Sequence, residues 1–426
     1  MIAIYESDKI KLSDILDRER KQSENVSEIV DEILCKVRAE KDAALFAYEK
    51  QFDHVALDCL EISKQEIKEA LIRIDPDFRV TLEAACENIR NFHKHQLRNG
   101  FLISEKNGVV LGQKITPIER AGIYVPGGTA SYPSSVLMNA IPAKLAGVEE
   151  IIMVTPPDRN GNIADNILAA ANIAGVTRIF KIGGAQAIAA LAYGTESVPK
   201  VDKIVGPGNI FVATAKSKVY GKVDIDMIAG PSEILVLADG TCNPSFVAAD
   251  LLSQAEHDPL ASAVLVTDSR ELAEKVQREI EQQLSLLSRG NIARESIHNN
   301  GKIILASSLS EAVEIANNIA PEHLEVCVDD PFSLLSEVKN AGSIFLGKYA
   351  PEALGDYFAG SNHILPTSGT ARFSSPLSVD DFIKKSSFIY YTKDALREVK
   401  DRVADFAERE GLGAHAKSIT IRFEEE

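Results

Sequence analysis

The sequence predicts an α/β protein whose β-sheets are mainly parallel. From about residue 109 onward, short apolar runs alternate with helical stretches, and this spacing is typical of βαβ units. The candidate strands of the first set are 120–125, 150–154, 178–182, 203–205, 233–237 and 262–266. The helical stretches between them lie near 133–146, 164–174, 185–193, 209–219 and 244–256. A second alternating set covers about 302–346, and the length of 426 residues predicts more than one domain.

The N-terminal part of the chain is predicted to be helical. Residues 22–98 carry apolar residues at three- and four-residue spacing, beginning with the amphipathic run 27–34. A further helix is predicted from Pro76 to about His95, with Asp75 as its cap, because proline is favoured in the first helical position.

The C-terminal part, residues 377–426, is charged and predicted to be mostly helical. It has too few apolar residues for a core of its own, so we expect an arm that packs on something else. Glycine–proline turns at 125–128 and 229–231 bracket a block in the middle of the chain. This pattern predicts a domain inserted into another one.

Composition and charge exclude several classes of partner. The formal net charge of −16 argues against nucleic acid or an anionic membrane as the main partner, because both require clustered positive charge. The five cysteines, at positions 35, 59, 86, 242 and 327, form no CxxC pair, so we expect reduced thiols. The N-terminus has neither the basic nor the apolar region of a signal peptide, and no apolar run reaches the roughly 20 residues that span a bilayer. A cytoplasmic location is therefore expected.

Three polar clusters indicate a metal-dependent enzyme. Gln254 and His257, in Ser253-Gln254-Ala255-Glu256-His257, stand three residues apart and would share one face of a helix. The other clusters are Pro321-Glu322-His323 and the pair Gly355-Asp356-Tyr357 with Ser361-Asn362-His363. Without cysteine ligands, such a set favours zinc, manganese or magnesium. Taken alone, Gln254 is more often a surface amide and His415 an ordinary exposed histidine.

Glu322 and His323 form a candidate proton-transfer pair. Pro321 is predicted to start a helix, which would place both side chains in its first turn. An adjacent carboxylate and imidazole supply two groups of different pKa at one place. The structural alternative is a capping glutamate beside a partly buried histidine. Cys327 is expected to begin a buried strand, and nothing indicates that it acts as a nucleophile.

Glycine turns offer candidate sites for a nucleotide. A GxGxxG motif is absent, but two turns, 183–186 and 206–209, follow apolar strands and precede helices. Together with the run 124–128, they could present backbone N–H groups to a phosphate or a ribose. Tight turns in any α/β protein look similar, so the nucleotide hypothesis rests on their combination.

Taken together, these motifs resemble the histidinol dehydrogenase family over nearly the whole chain and in the family's order. One such run extends from Asp226-Met227-Ile228-Ala229-Gly230-Pro231-Ser232-Glu233 to His257. The others are Gly122 to Gly128, Ala320-Pro321-Glu322-His323-Leu324, Gly355-Asp356-Tyr357 and Ser361 to Arg372. Cys242 replaces an expected alanine, away from the chemistry.

The resemblance implies two incomplete Rossmann-like domains with parallel sheets, a helical N-terminal segment and a C-terminal arm that packs on the partner of a homodimer. The expected boundaries are 1–21 for the N-terminal segment, 22–123 and 232–376 for the larger α/β domain, 124–231 for the inserted NAD-binding domain and 377–426 for the dimerisation arm.

The resemblance also implies the activity and its residues. Such an enzyme oxidises L-histidinol to L-histidine through bound L-histidinaldehyde, with two NAD, in the last steps of histidine biosynthesis. One Zn²⁺ per subunit would be held by Gln254, His257, Asp356 and His415, the last from the other subunit. The substrate contacts would be Ser232, Gln254, His257, His323, Asp356, His363, Glu410 and His415. The NAD contacts would be Tyr124, Gln186 and Asn209.

Within this implied site, His323 is expected to take the alcohol proton and Glu322 to activate water for the aldehyde step. Zinc is expected to position the substrate, and its action as a Lewis acid on the hydroxyl is the competing mechanism.

Two other functions remain open. A zinc- and NAD-dependent dehydrogenase of the same architecture could act on another amino or sulfonated alcohol, and Glu410 and His363 are the discriminating positions. An inactive homologue serving as a scaffold would lack some member of the set Gln254, His257, Glu322 and His323, and the sequence has all four.

Overall fold

A computed structural model describes residues 1–10, 24–104, 108–127 and 131–424. Most of the predicted N-terminal segment 1–21, and Gly128 of the glycine turn, lie outside the described residues. The chain folds as two compact units. Unit one comprises residues 1–97 and 118–382, and unit two comprises residues 98–117 and 383–426. Among the described residues, no helix is both long and apolar enough to cross a membrane.

Strands and helices alternate through unit one as the sequence predicts. The strands of the described residues are β1 (Ala3–Glu6), β2 (Phe101–Ser104), β3 (Val109–Pro117), β4 (Arg120–Tyr124), β5 (Glu150–Thr155), β6 (Arg178–Lys181), β7 (Lys203–Val205), β8 (Asp224–Ile225), β9 (Glu233–Ala238), β10 (Ser262–Thr267), β11 (Lys302–Leu305), β12 (His323–Cys327), β13 (Ser343–Leu346) and β14 (Ile383–Tyr391). The α-helices are Glu24–Glu40, Asp42–Tyr48, Lys64–Arg73, Pro76–His93, Pro133–Ala146, Asp165–Ala174, Gly184–Tyr193, Ile210–Val219, Pro244–Ala255, Arg270–Leu284, Gly290–Asn299, Leu309–Ile319, Pro331–Leu335, Glu352–Leu354, Lys393–Arg409 and Gly413–Thr420.

The first sheet of unit one has five strands in the order β6-β5-β4-β7-β8, and all its pairs are parallel. The chain starts in the centre at β4, moves to one side, and returns to add β7 on the other side. This is the order of a doubly wound sheet, in which ligands bind at the carboxyl ends of the two strands where the direction reverses. The ends of β4 and β7 therefore define one candidate ligand edge.

The second sheet of unit one has six strands, in the order β1-β11-β10-β9-β12-β13, and is also parallel throughout. Without β1 it repeats the order of the first sheet, with β9 and β12 at the reversal. The carboxyl ends of β9 and β12 lead into Asp239 and Asp329, and Lys348 pairs with Asp329 at 2.5 Å. The predicted fold class, an α/β protein with two parallel Rossmann-like sheets, is confirmed, although the edge strands β1 and β8 were not predicted.

The N-terminal helices pack against the first sheet. Lys64–Arg73 and Pro76–His93 share a core with Pro133–Ala146 and Asp165–Ala174. Glu24–Glu40 lies on the other face, beside Gly184–Tyr193 and Ile210–Val219. The predicted cap is confirmed, because the Asp75 side chain accepts hydrogen bonds from Asp77 N and Phe78 N with Pro76 in the first turn.

The predicted division of the chain stays a prediction. It places residues 22–123 and 232–376 in one domain and residues 124–231 in the inserted domain.

Unit two contains an antiparallel sheet in the order β14-β3-β2, followed by the helices Lys393–Arg409 and Gly413–Thr420. The prediction that 377–426 is mostly helical is wrong for Ile383–Tyr391. This stretch ends in Phe388-Ile389-Tyr390-Tyr391, residue types that favour strands, and it pairs along its length with β3. Its partner strand, β3, comes from another part of the chain, so the charge pattern alone did not reveal it.

Candidate active site

The predicted proton-transfer pair begins a strand rather than a helix, so that part of the sequence interpretation is wrong. Helix Leu309–Ile319 ends at Ala320, whose φ of 50° is left-handed and turns the chain away from the helix. His323 is then the first residue of β12, which pairs with β9 and β13. Two neighbouring parallel strands fix its backbone, which positions the side chain more firmly than a frayed helix start would.

Gln254 and His257 are close, but only Gln254 is helical. Helix Pro244–Ala255 ends two residues before His257, so the predicted shared helix face is wrong in detail. His257 N still donates to the Gln254 carbonyl at 3.2 Å, and this turn keeps the two residues together. Gln254 is buried, with 1 % of its surface exposed, which contradicts the assignment of a surface amide.

The site lies at the amino ends of the central strands of the second sheet. Glu233 begins β9 and His323 begins β12, and His323 is in register with Ile234. The helix Pro244–Ala255 follows β9 and returns antiparallel to it, so that the carboxyl end of this helix reaches the same edge. The Glu233 carbonyl lies 3.0 Å from His323 Nδ1 and accepts a bond from Gln254 Nε2 at 3.3 Å.

Carboxylates surround the imidazole of His323. Its Nε2 atom lies 3.6 Å from Asp356 Oδ1 and 3.9 Å from Glu352 Oε1, and its Nδ1 atom lies 3.7 Å from Glu322 Oε2. Burial opposes a positive charge on the ring, but Glu322, Glu352 and Asp356 outweigh it and raise the pKa of His323 to about 10. Three carboxyl groups thus face one buried imidazole and favour its protonated form.

Glu322 is held by the strand beside it. Its Oε2 atom accepts a hydrogen bond from Glu233 N at 2.9 Å. Burial raises the pKa of Glu322 to about 8, against the opposing effect of His323. The side chain is thus fixed next to His323, as two cooperating proton-transfer groups require.

Asp356 and His363 are connected through a backbone carbonyl. Asp356 lies in the π-helical turn Gly355–Ala359, and its carbonyl lies 2.9 Å from His363 Nδ1. His363 Nε2 in turn lies 3.2 Å from Ser135 Oγ. Burial works against ionisation of Asp356, but the nearby imidazoles of His323, His363 and His257 lower its pKa. The carboxylate therefore stays charged and available to a cation.

Of the buried polar atoms that lack a hydrogen-bond partner among the described residues, three lie at this site: Gln254 Oε1, His323 Nε2 and Glu352 Oε2. Unpaired buried polar atoms are costly and mark sites that bind something else. His323, Glu352 and Asp356 also bring their ligand atoms within 4.8 Å of one another. Burial lowers the pKa of His257, so its imidazole is neutral and able to coordinate a metal.

The remaining predicted site residues are found in three places. Ser232 directly precedes β9, and its carbonyl accepts from Ser262 N at 2.9 Å. Glu410 caps the helix Lys393–Arg409, and His415 lies in Gly413–Thr420; both are exposed and belong to unit two. Unit one thus contains Gln254, His257, Asp356 and the Glu322–His323 pair, and it contains neither Glu410 nor His415.

The predicted dinucleotide contacts lie at the carboxyl edge of the first sheet. Tyr124 ends β4, and its hydroxyl accepts a bond from Gly184 N at 3.2 Å. Gln186 is buried, and its Nε2 atom donates to Glu49 Oε1 at 3.1 Å. Asn209 is exposed, and its Oδ1 atom caps the helix Ile210–Val219 by accepting from Phe211 N and Val212 N. The Gly183–Gly184 turn is therefore already bonded to protein oxygens, which differs from the expected phosphate cradle.

Sequence reasoning gave no role to several residues of these sites. Glu233 orients His323 through its carbonyl, and no side-chain pattern reveals a backbone contact. Glu352 stands four residues before Asp356, a helical spacing that was a usable signal. Glu49 and Ser135 come from distant helical segments whose spatial position the sequence does not indicate.

A duplicated parallel α/β fold with a buried imidazole, its carboxylates and unpaired acceptors is typical of one class of protein, the α/β enzymes. The family model for histidinol dehydrogenase matches residues 16–423. The chain belongs to the histidinol dehydrogenase family, and it is therefore an NAD-dependent oxidoreductase of histidine biosynthesis.

Curated relatives and a solved structure support this assignment along the entire length. The histidinol dehydrogenase of Clostridium acetobutylicum is 58 % identical over 407 residues, which is 96 % of this chain and 94 % of the relative. That of Bacillus cereus is 57 % identical and covers 100 % of both chains. The crystal structure of histidinol dehydrogenase from Elizabethkingia anophelis is similar with a TM-score of 0.95 and 39 % identity, over 100 % of this chain and 98 % of that one.

Proposed function

We propose that this chain oxidises L-histidinol to L-histidine through bound L-histidinaldehyde, with one Zn²⁺ per subunit and two NAD per turnover. The observation that carries the proposal is the buried cluster of His323, Glu322, Asp356 and Gln254, in which acceptor atoms outnumber donors. The proposed substrate has an imidazole and an amino group to bring to such a site. A cytoplasmic location is proposed with it, since the pathway supplies a cellular amino acid.

Zinc fits the residues that unit one brings together. Gln254 Oε1 is a buried acceptor without a partner, Asp356 is a charged carboxylate, and His257 is a neutral imidazole. These three residues would hold the ion, with the partner subunit's His415 as the fourth ligand. When bound, zinc would fix the nitrogen atoms of the substrate and polarise the groups that it touches.

In the first step, His323 takes the proton of the substrate alcohol. Nδ1 of His323 is engaged by the protein, because it lies 3.0 Å from the Glu233 carbonyl and 2.9 Å from Gln254 Nε2, and Nε2 is the ring nitrogen left to act as the base. As the alcohol proton passes to Nε2, the carbon gives a hydride to NAD, and the products are the aldehyde and NADH. Base catalysis of this kind contributes roughly 10²–10⁴-fold.

In the second step, Glu322 activates water. The carboxylate removes a proton while the water oxygen bonds to the aldehyde carbon, and His323 returns the alcohol proton to the carbonyl oxygen, which forms the hydrate and leaves His323 basic again. His323 then takes a hydroxyl proton of the hydrate as the second hydride leaves for a second NAD, giving the carboxylic acid. The bond from Glu233 N holds Glu322 beside His323, so both bases serve one reacting carbon.

The dinucleotide is proposed to bind at the carboxyl edge of the first sheet, with contacts from Tyr124, Gln186 and Asn209. This edge is where doubly wound sheets bind nucleotides. Because Oδ1 of Asn209 is taken up by the helix cap, its Nδ2 hydrogens are the groups that it offers to a ligand. Gln186 is held at this edge by the hydrogen bond that it donates to Glu49.

A homodimer with shared sites is proposed for the second unit. The buried apolar cluster of this unit consists of Ala404, Ala407 and Ala416. Its exposed large apolar residues are Phe101, Leu102, Ile103, Phe388, Ile389, Tyr390, Tyr391, Val403, Phe406, Leu412 and Ile421. So much exposed apolar surface favours a partner that covers it. In that dimer, Glu410 and His415 of one subunit would complete the substrate site of Ser232, His323 and His363 in the other.

The proposal is tested by NADH formation from L-histidinol, before and after removal of the metal. We expect two NADH per histidinol, loss of turnover when a chelator removes the zinc, and recovery when zinc is returned. One control is the same protein treated with chelator already saturated with zinc. Unchanged turnover in protein that is shown to be metal-free, or one NADH per substrate, would contradict the proposal.

A further inference from the structure

A buried ion pair lies outside the catalytic centre, in the part of unit one that holds the first sheet. Lys216, on the helix Ile210–Val219, pairs with Asp226, which directly follows β8. Both side chains are only 2 % exposed. A buried ion pair often stabilises a fold no better than apolar residues of the same volume, because both charges lose their hydration. Stability alone therefore does not account for this pair.

The ion pair holds both peptide units of Gly206, the first residue of the turn 206–209. Lys216 Nζ donates to the Gly206 carbonyl at 3.0 Å, and Gly206 N donates to Asp226 Oδ2 at 2.7 Å. Gly206 has a φ of 110°, and a Cβ atom there would lie 2.1 Å from the carbonyl oxygen of Tyr124. The turn is thus pressed against the end of β4 in a conformation that requires glycine.

The same carboxylate also fixes the start of the next loop. Asp226 Oδ1 accepts a bond from Met227 N at 2.6 Å, where the segment 226–232 begins. Further along this segment, Gly230 N donates to Thr367 Oγ1 at 2.6 Å. The segment ends at Ser232, next to Glu233, whose carbonyl contacts His323. One ion pair therefore holds the dinucleotide turn and the beginning of the loop that leads to the catalytic strand.

We propose that Lys216 and Asp226 are positioning residues for the dinucleotide. They hold the turn that carries Asn209 against Tyr124. They also fix the beginning of the loop that runs to Ser232. Lys216 contacts no ligand itself, because its charge is buried and paired with Asp226. The inference rests on the proposed placement of NAD at this edge.

The test compares Lys216→Met with a control from the same domain, Lys203→Met. Lys203 is also buried, with 8 % of its side chain exposed, and it pairs with Asp224 and Asp381. It lies at the opposite end of β7 from Gly206. Measured quantities are the KM for NAD, the KM for L-histidinol, kcat at saturating NAD, zinc content and Tm. A purely structural role predicts that both variants lower Tm and leave the KM for NAD unchanged.

For Lys216→Met, we expect the KM for NAD to rise about tenfold or more, the loss expected when a hydrogen-bonded contact is misplaced. The KM for L-histidinol and the zinc content should stay near their wild-type values. Lys203→Met should leave the KM for NAD within about twofold, a change small beside the factor of ten per 1.4 kcal/mol. A Lys216→Met protein with a lower Tm and an unchanged KM for NAD would overturn the proposal.

The double variant Lys216→Met/Asp226→Leu removes the unpaired charge that either single variant leaves in the interior. It should recover Tm relative to Lys216→Met and yet keep the raised KM for NAD, since the bonds to Gly206 are still missing. If the single variant does not fold, the double variant is the test. Recovery of both Tm and the KM for NAD would refute a positioning role.

Asn209→Ala separates this inference from the proposed NAD site. If Asn209→Ala raises the KM for NAD and the ion-pair variants do not, only the positioning role is refuted. If none of these variants changes the KM for NAD, the dinucleotide does not use this turn, and the site and the inference fail together.

Discussion

Replacing Glu322 by glutamine tests how the two oxidation steps divide between the two bases. Glutamine has nearly the same shape, and its Oε1 atom can keep the bond that Glu322 Oε2 accepts from Glu233 N at 2.9 Å. The position of His323, which the Glu233 carbonyl and the neighbouring strands fix, should therefore be retained. The variant removes one function, the capacity of this side chain to accept a proton from water.

The expected size of the effect follows from that loss. A general base contributes roughly 10²–10⁴-fold, which corresponds to about 3–5 kcal/mol in the activation free energy. We expect a loss of this size in the oxidation of L-histidinaldehyde, since that step needs water. The rate of the alcohol step, which uses His323, should fall about tenfold or less. In that step the substitution removes only the charge of Glu322, 3.7 Å from Nδ1 of His323.

The assay measures the two steps separately. Rapid mixing with L-histidinol reports the first NADH, and L-histidinaldehyde supplied directly reports the second. Zinc content and Tm of Glu322→Gln should match the wild-type protein, which excludes a general defect. Equal losses in both steps would refute the assignment of water activation to Glu322.

The remaining predictions concern the alcohol base, the shared site and pH. His323→Asn should reduce turnover of L-histidinol by roughly 10²-fold or more with zinc content intact, and near wild-type turnover would refute the base assignment. Mixing inactive His415→Ala chains with inactive Gln254→Ala chains should restore activity in proven heterodimers, whereas no recovery would mean that one chain builds the entire site. Burial raises the pKa of Glu49 to about 8, above its unfolded value near 4.5. The folded state therefore holds an extra proton between these values, and this group makes the free energy of unfolding fall as pH rises from about 5 to 8. Glu49→Gln should flatten this decline in urea denaturation, and an unchanged pH profile would contradict the assigned cause.

The sequence predicted four of the five strands of the first sheet closely, all but β8, because buried parallel strands are continuous apolar runs. The run 150–154, for example, is found as Glu150–Thr155. The sequence interpretation assigned His323 to a helix because Pro321 is as compatible with a strand start as with a helix start. The neighbours that decide between them, β9 and β13, are far away in the sequence.

The sequence predicted which side chains belong to the candidate site. It did not predict how they are arranged in space. Gln254, His257 and Asp356 were found from motifs, since their chemistry is visible in residue types. The carbonyl of Glu233 and the hydroxyl of Ser135 were not, because they act through the backbone or from a distant helix. The membership of His415 in a shared site depends on a second chain, and so it remains a proposal.

Apart from β1, the two sheets have the same strand order, and this duplication bears on how the two NAD molecules of the proposed function would bind. In the second sheet, the edge that would correspond to the dinucleotide edge of the first carries Asp239 and Asp329, with Lys348 paired to Asp329. Carboxylates at that edge repel a pyrophosphate. Under the proposed function, we therefore expect both NAD molecules to bind at the first sheet in turn. The first NADH would then leave and a fresh NAD would enter while the aldehyde stays bound at the amino edge of the second sheet, so cofactor exchange would be a step within each turnover.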